Sequence, residues 1–294
     1  MPREEEIEYY DNLIKVIEQT FTSENFDTSK IDNGQDEYIE TGKIIVTLTT
    51  LENQRKHLNK NMSVIDLGYC ESLLKNWYNI SDNETIYMKK IDIAQKGMKI
   101  TKIKYDVYCK LNGTNLIKLN LSICADTKIF IYVPIEITKN IDEFNSSSGY
   151  YNDICYTTTS EDGTDITLKD RQKNYVDGNK IVCQEDCFFS KYDSELLLAN
   201  CSCDVKESSS SITDMAINKA KLALQNFRNI KNFANFNFLV CNKILFNKEA
   251  IIKNIGSYTY IVIIVFQIIT IFIFYMKQFP LIKMKIKDII FAIQ

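Results

Sequence analysis

The chain has 294 residues, of which 45% are hydrophobic, 3 are proline and the net charge is −3. This composition predicts folded material and argues against a disordered or mucin-like stalk. Twelve acidic residues against three basic ones in residues 1–40 argue against nucleic-acid binding. The single histidine, His57, excludes histidine-based triads and most histidine-containing zinc sites, and we expect it in a solvated turn.

Residues 4–21 carry an apolar stripe at helical spacing and predict an amphipathic helix with glutamates in its first turn. The stripe consists of Ile7, Tyr10, Ile14, Ile17 and Phe21. A polar linker follows, so residues 1–41 are interpreted as an acidic helix and linker. The opening MPREEEIEYYDN lacks the apolar core of a signal peptide. We therefore expect either a tail-anchored protein or the last part of a longer surface protein.

From Gly42 onward, alternating apolar residues predict an antiparallel β domain over residues 42–140. Residues 103–109 and 117–123 are predicted strands that flank Asn112-Gly113, the dipeptide that favours a two-residue hairpin. Residues 129–137 predict a further strand. Short turns between such strands indicate a sandwich, with one buried and one solvated face on each sheet.

A short helix over residues 70–78 is expected to turn Leu73, Leu74 and Trp77 inward. Residues 141–211 have few apolar runs and five of the nine cysteines, which predicts a cysteine-rich region held by disulfides. A juxtamembrane helical stem is expected over 212–254. The predicted fold class is mainly β: an antiparallel, sandwich-like ectodomain with a disulfide-rich loop region, flanking helices and one transmembrane helix.

Residues 255–275 carry no charged side chain and predict a transmembrane helix of roughly 31 Å, close to the thickness of a bilayer core. Lysines on the C-terminal side slightly outnumber those before the span, which predicts a basic cytosolic tail over 276–294. The expected partners are the lipid bilayer and a second copy of the chain. Self-association is expected through the mid-span amide of Gln267 and through Cys241, the ninth cysteine.

The other eight cysteines are enough for four disulfides. These candidates are Cys70, Cys109, Cys124, Cys155, Cys183, Cys187, Cys201 and Cys203. Cys201 and Cys203 should reach different partners, because neighbours in a C-x-C cannot easily pair. A four-thiolate zinc site is the alternative if the region faces the reducing cytosol.

Seven N-x-S/T sequons lie in the same part of the chain as these cysteines, which favours an extracellular or lumenal domain. The candidate glycosylation sites are Asn61, Asn79, Asn83, Asn112, Asn120, Asn145 and Asn200. Acidic residues crowd the loop between Asp153 and Asp177, but their spacing is not that of a calcium-binding EF-hand. Solvated loop acids are therefore the preferred interpretation.

Three resemblances follow from these motifs. The spacing Cys187-x13-Cys201-x-Cys203 is similar to the second half of an EGF-like module. The stretch YNDICY at 151–156, the cysteine cluster and the apolar span together resemble the juxtamembrane end of uncharacterised single-pass surface proteins of AT-rich protists and large DNA viruses. A C-x-C ahead of a membrane helix is also similar to the GAIN domain of adhesion receptors, although its cleavage tripeptide is absent after Cys203.

No phosphate-binding loop, dinucleotide fingerprint or paired nucleophile and base is present, so we expect no enzyme, no catalytic residue, no cofactor and no metal. The prediction is a single-pass membrane glycoprotein that binds an unknown protein or glycan ligand at a surface. The alternative is a tail-anchored protein whose cytosolic domain scaffolds partners at a membrane. A redox or metal enzyme is the third class considered.

Overall fold

The computed structural model describes residues 4–58, 62–111, 113, 115–138, 140–160, 162–177, 180–206, 215–227, 241, 252 and 255–293. Its internal contacts divide the chain into two units, Met1–Ile230 and Lys231–Gln294. The predicted helix and linker, β domain and cysteine-rich region all belong to the first unit. The boundaries expected after residues 41 and 140 therefore do not separate compact units.

Helices and strands alternate along the first unit. Its helices are α1 (Glu4–Phe21), α2 (Ser29–Asp32), α3 (Leu51–Lys56), α4 (Tyr69–Tyr78), α5 (Gly149–Asn152), α6 (Leu168–Asp177) and α7 (Lys219–Asn226). Its strands are β1 (Glu37–Thr41), β2 (Ile44–Thr50), β3 (Val64–Asp66), β4 (Ile86–Ala94), β5 (Thr101–Cys109), β6 (Ile117–Lys118), β7 (Lys128–Pro134), β8 (Cys187–Asp193) and β9 (Leu198–Asp204). Helix makes up 41% and strand 24% of the chain, so the expected antiparallel sheets, helices and disulfides are present but the description as mainly β is overstated.

These nine strands form two antiparallel sheets in the described part of the chain. The first sheet has the order β1-β2-β4-β5-β6, and the second has the order β3-β7-β9-β8. Strand β9 thus lies between β7, from the predicted β domain, and β8. Two of the four strands of the second sheet come from the segment that was expected to be a disulfide-rich loop region.

One hydrophobic core lies between the two sheets. The first sheet contributes Met88, Ile103 and Val107, all buried, from β4 and β5. The second sheet contributes Ile129, Ile131, Val133, Ala199, Cys201 and Cys203 from β7 and β9. Alternation along these strands places every second side chain in this core.

A second core covers the opposite face of the first sheet. Helix α1 packs its predicted stripe there, with Phe21 completely buried and its ring centroid 5.1 Å from that of Tyr108. Strand β4 is buried at every position from Ile86 to Ile93. The expectation of one solvated face is therefore wrong for this strand, because the amphipathic helix that the sequence did predict lies on that face.

The predicted strand over residues 117–123 is mostly a turn. Only Ile117 and Lys118 pair with β5, and Leu121–Cys124 form a 3₁₀ helix. The side chain of Asn120 accepts a hydrogen bond from the Ser122 backbone N–H at 2.9 Å, which caps this short helix. Local side-chain capping therefore overrides the apolar alternation.

The second unit contains one long, exposed apolar helix. Helix α8 (Ile255–Ile273) continues through a π-helical turn, Phe274–Gln278, into α9 (Phe279–Ile293). The 33-residue stretch Tyr258–Ile290 contains 18 consecutive residues with a mean hydropathy of 2.4, so it is long and apolar enough to span a membrane. The segment expected to be a basic tail is thus helical, whereas most of the predicted 212–254 stem lies outside the described residues.

Candidate functional site

The disulfide between Cys70 and Cys124 joins α4 to the 3₁₀ helix at Leu121–Cys124. Both cysteines are fully buried, and their Cα atoms are 5.3 Å apart. The bridge closes a loop of 54 residues that contains β4, β5 and β6. It therefore joins the two ends of the segment that contributes β4, β5 and β6 to the first sheet.

Two further disulfides fix strand β9 of the second sheet. Cys203 bonds Cys187, which lies directly opposite on β8, and Cys201 bonds Cys183, which precedes β8. The two members of the C-x-C thus reach different partners, and both sulfurs point into the core between the sheets. The four thiols are consumed in these bonds, so they do not form the alternative zinc site.

Cys109 is the free cysteine among the described residues, although it was expected to be one of the disulfide candidates. It is buried on β5, and burial raises the pKa of its thiol. Cys155 and Cys241 are both disulfide-bonded. The expectation that Cys241 is the unpaired ninth cysteine, with a thiol available to bridge two copies of the chain, is therefore wrong.

The segment Cys183–Cys203 does not form a module of its own, because its strands complete a sheet with β3 and β7. This arrangement offers no support for the EGF-like resemblance. In the described ranges, no group of three His, Cys, Asp or Glu side chains is placed to hold a metal ion.

The sequon asparagines differ in exposure. Asn79, Asn83 and Asn120 are exposed, and Asn145 is half-buried. Asn200 lies in the centre of β9 and is only 6% exposed, with no room for a glycan on its side chain. Asn61 and Asn112, the two other candidates, lie outside the described residues.

A buried ion-pair network joins α1 to the first sheet. Lys89 Nζ lies 2.7 Å from both Glu18 Oε2 and Asp106 Oδ2, and the lysine side chain is only 1% exposed. Lys118 Nζ lies 3.5 Å from Glu18 Oε1 and 3.1 Å from Asp106 Oδ1. Burial works against the charge on Glu18, but the hydrogen bond and charge of Lys89 outweigh it, so the pKa of Glu18 is lowered. Two cations thus balance two carboxylates beneath α1.

A second buried cluster contains a serine next to a lysine, the pair that some hydrolases use as nucleophile and base. Ser63 Oγ accepts from Lys90 Nζ at 3.0 Å and donates to Asp92 Oδ1 at 2.5 Å. Lys90 Nζ also lies 3.2 Å from Asp92 Oδ2. The Ser63 hydroxyl donates to Asp92 and not to Lys90, so the lysine is not placed as its base, and the cluster has the geometry of a structural polar group.

Two residues with polar side chains occupy positions that the sequence pattern did not indicate. Arg171 on α6 is 1% exposed, with its guanidinium carbon 5.4 Å and 5.6 Å from the ring centroids of Tyr150 and Tyr156. His57 is buried, with Nδ1 3.0 Å from Asp36 Oδ2, so the expectation of a solvated turn is wrong. Within the first unit, His57 thus contacts the segment at Asp36, and Arg171 contacts the segment that carries Tyr150 and Tyr156.

The most exposed large aromatic residues of the first unit lie on α4. Tyr69 is 66% exposed and Trp77, the only tryptophan, is 70% exposed. Leu74 and Cys70 fill the buried side of the helix instead, so the expectation that Trp77 faces inward is wrong. Exposed Trp and Tyr side chains are enriched at binding interfaces. This α4 face is therefore the candidate binding surface.

No family model, curated protein or solved structure matches this chain.

Periodicity could not have indicated the α4 surface, because Trp77 and Leu74 both fit an apolar helical stripe three residues apart. The bridge from Cys70 decides which side is buried: its sulfur must point toward Cys124, and Leu74 shares that side. Disulfide connectivity was thus the missing information, and the sequence alone leaves 105 pairings open for eight cysteines.

Proposed function

We propose that this chain is a single-pass membrane glycoprotein whose first unit faces an extracellular or lumenal space and binds a partner without catalysis. The observation that carries the proposal is the oxidised state of the cysteines. The Cys183–Cys201 and Cys187–Cys203 bridges hold β9 in the second sheet, and the Cys70–Cys124 bridge joins α4 to the 3₁₀ helix. Structural disulfides persist in oxidising compartments and are rare in the cytosol.

The membrane part of the proposal rests on α8. Its 19 residues correspond to roughly 28 Å, which matches a hydrocarbon core of roughly 30 Å. An uncharged apolar helix of this length, exposed at every residue from Tyr258 to Ile273, is typical of a membrane span. Self-association through the Gln267 amide, contributing about 1 kcal/mol, stays part of the proposal.

The binding part of the proposal rests on the α4 face. Tyr69 and Trp77 are two helical turns apart, so their rings are presented on one side of a helix that Cys70 anchors to the core. A rigid pair of exposed aromatics is suited to contact with a protein surface or a sugar ring. The tail-anchored alternative would keep this face in the cytosol, but it would require reduced cysteines.

The predicted glycosylation pattern distinguishes these two locations. In a eukaryotic secretory host, we expect the full chain to carry glycans that an endoglycosidase removes, with a shift in gel mobility. Each of the exposed-site variants Asn79→Gln, Asn83→Gln and Asn120→Gln should lose one step of mass. Asn200→Gln is the matched control and should lose none, because that side chain is buried between β7 and β8.

Wild-type protein with no endoglycosidase-sensitive mass would contradict the proposed location. A loss of mass with Asn200→Gln in folded protein would contradict the placement of β9 in the centre of its sheet.

A further inference from the structure

The apolar helix is longer than a bilayer core. The 33-residue stretch Tyr258–Ile290 corresponds to roughly 50 Å, whereas the hydrocarbon core is roughly 30 Å thick. If α8 spans the core, α9 must lie beyond it. Ile286 would then sit about 20 Å past the end of α8 if the helix ran straight on into water.

The side chains of α9 do not suit a helix in open water. An apolar stripe runs along one side at spacings of three and four residues, formed by Phe279, Ile282, Ile286, Ile289 and Ile290. All five are exposed, although the ring of Phe279 stacks on that of Tyr275, with 5.6 Å between the ring centroids. Lysines border this stripe on both sides, Lys283 and Lys287 on one and Lys285 on the other. Such a pattern is typical of helices that lie in a membrane interface.

The join between α8 and α9 has two features that accompany helix bends. The segment Phe274–Gln278 is π-helical, and the Phe279 N–H donates to the Phe274 carbonyl, five residues back. Pro280 follows at the second position of α9 and has no N–H to donate to the preceding turn. Sharp kinks in helices occur mainly at prolines and π-bulges.

We infer that α9 lies along the surface of an anionic bilayer leaflet, with its isoleucine stripe in the acyl boundary and its lysines at the headgroups. The inference rests on the proposed span at α8 and deepens it. Residues 276–293 contain four lysines, at 277, 283, 285 and 287, and only one acidic residue, Asp288, so this segment has a net positive charge. Basic clusters of this kind are attracted to leaflets rich in anionic lipid, by about fivefold in binding ratio per lysine. The occupant is the general anionic surface, since the stripe is an exposed face of a single helix.

The test uses full-length protein in nanodiscs, with tryptophan fluorescence quenched by lipids brominated at shallow or deep acyl positions. Trp77→Phe removes the native tryptophan, and single tryptophans are then introduced by Ile286→Trp on the stripe, Met284→Trp on the opposite side and Phe266→Trp within α8. With phosphatidylserine present, we expect shallow quenching of Ile286→Trp, little quenching of Met284→Trp and deep quenching of Phe266→Trp.

Removing the charges supplies the second measurement. Lys283→Gln, Lys285→Gln and Lys287→Gln together should lower the surface-bound to free ratio of α9 about 100-fold, so that most of the Ile286→Trp quenching is lost. Two results for Ile286→Trp alone would overturn the inference: deep quenching, or no quenching. It would also be overturned if the quenching of Ile286→Trp were unchanged by the triple substitution or by the omission of phosphatidylserine. Failure of Phe266→Trp to be quenched would instead overturn the proposed span.

Discussion

Removal of the Cys70–Cys124 bridge by Cys70→Ala with Cys124→Ala should lower the free energy of unfolding by about 4 kcal/mol. The reason is that the bridge closes 54 residues, so its loss releases a long loop in the unfolded chain. Both sulfurs are also completely buried, so their removal leaves space in the core. Pulse proteolysis in urea, applied to the full chain in detergent, measures the change.

The matched comparison is Cys187→Ala with Cys203→Ala, which opens a bridge of 16 residues and should cost about 3 kcal/mol. Cys109→Ala is the control for removal of a buried sulfur without a bridge. A larger loss from the Cys187 pair than from the Cys70 pair would contradict the account, because the order should follow loop length.

Lys89→Ala should destabilise the first unit by about 3–5 kcal/mol. The substitution leaves the buried Asp106 and the half-buried Glu18 with only Lys118 to balance their charges. Lys118→Ala is the control: its side chain is 31% exposed, and water compensates for its loss, so about 1 kcal/mol is expected. Equal losses from the two variants would show that Lys89 is not the buried partner of both carboxylates.

The same network predicts a loss of stability in acid. Because the pKa of Glu18 is lowered in the folded protein, its contribution is present above its ordinary value of 4.5 and is lost as pH falls through the lowered pKa. Glu18→Gln should therefore be less stable than wild type at pH 7, and the two should converge in acid. The control is Glu24→Gln, which removes an exposed carboxylate and should follow the wild-type dependence of stability on pH. If the stability of Glu18→Gln differed from that of wild type by the same amount at every pH, the role of Glu18 would be contradicted.

Local patterns predicted the helix at Glu4–Phe21 and the apolar helix from Ile255, since both depend on the order of neighbouring residues. They failed where contacts between residues far apart in the chain determine the structure. Strand β4 was expected to have one solvated face like the rest of the β domain, and only the docking of α1 shows that both faces are covered. The second sheet requires β9 to return between β7 and β8, a pairing across more than 60 residues that no local pattern indicates.

The candidate site was predictable only in part. The C-x-C at Cys201 predicted two different partners, because the geometry of a disulfide forbids pairing within it. The thiol of Cys109 is not in a disulfide because of its place on β5, and Asn200 is buried because of its place on β9. The sequence motifs encode neither place. A sequon and a cysteine look the same in a sequence whether they are on a surface or in a core.

The most direct test of the proposed location is the count of free thiols in the protein as cells make it. The full chain is denatured without reductant in the presence of N-ethylmaleimide, and its mass is measured. The account predicts one modified cysteine of the nine, at Cys109, since the other eight are disulfide-bonded. Modification of all nine would show a reduced chain and would contradict an extracellular or lumenal first unit.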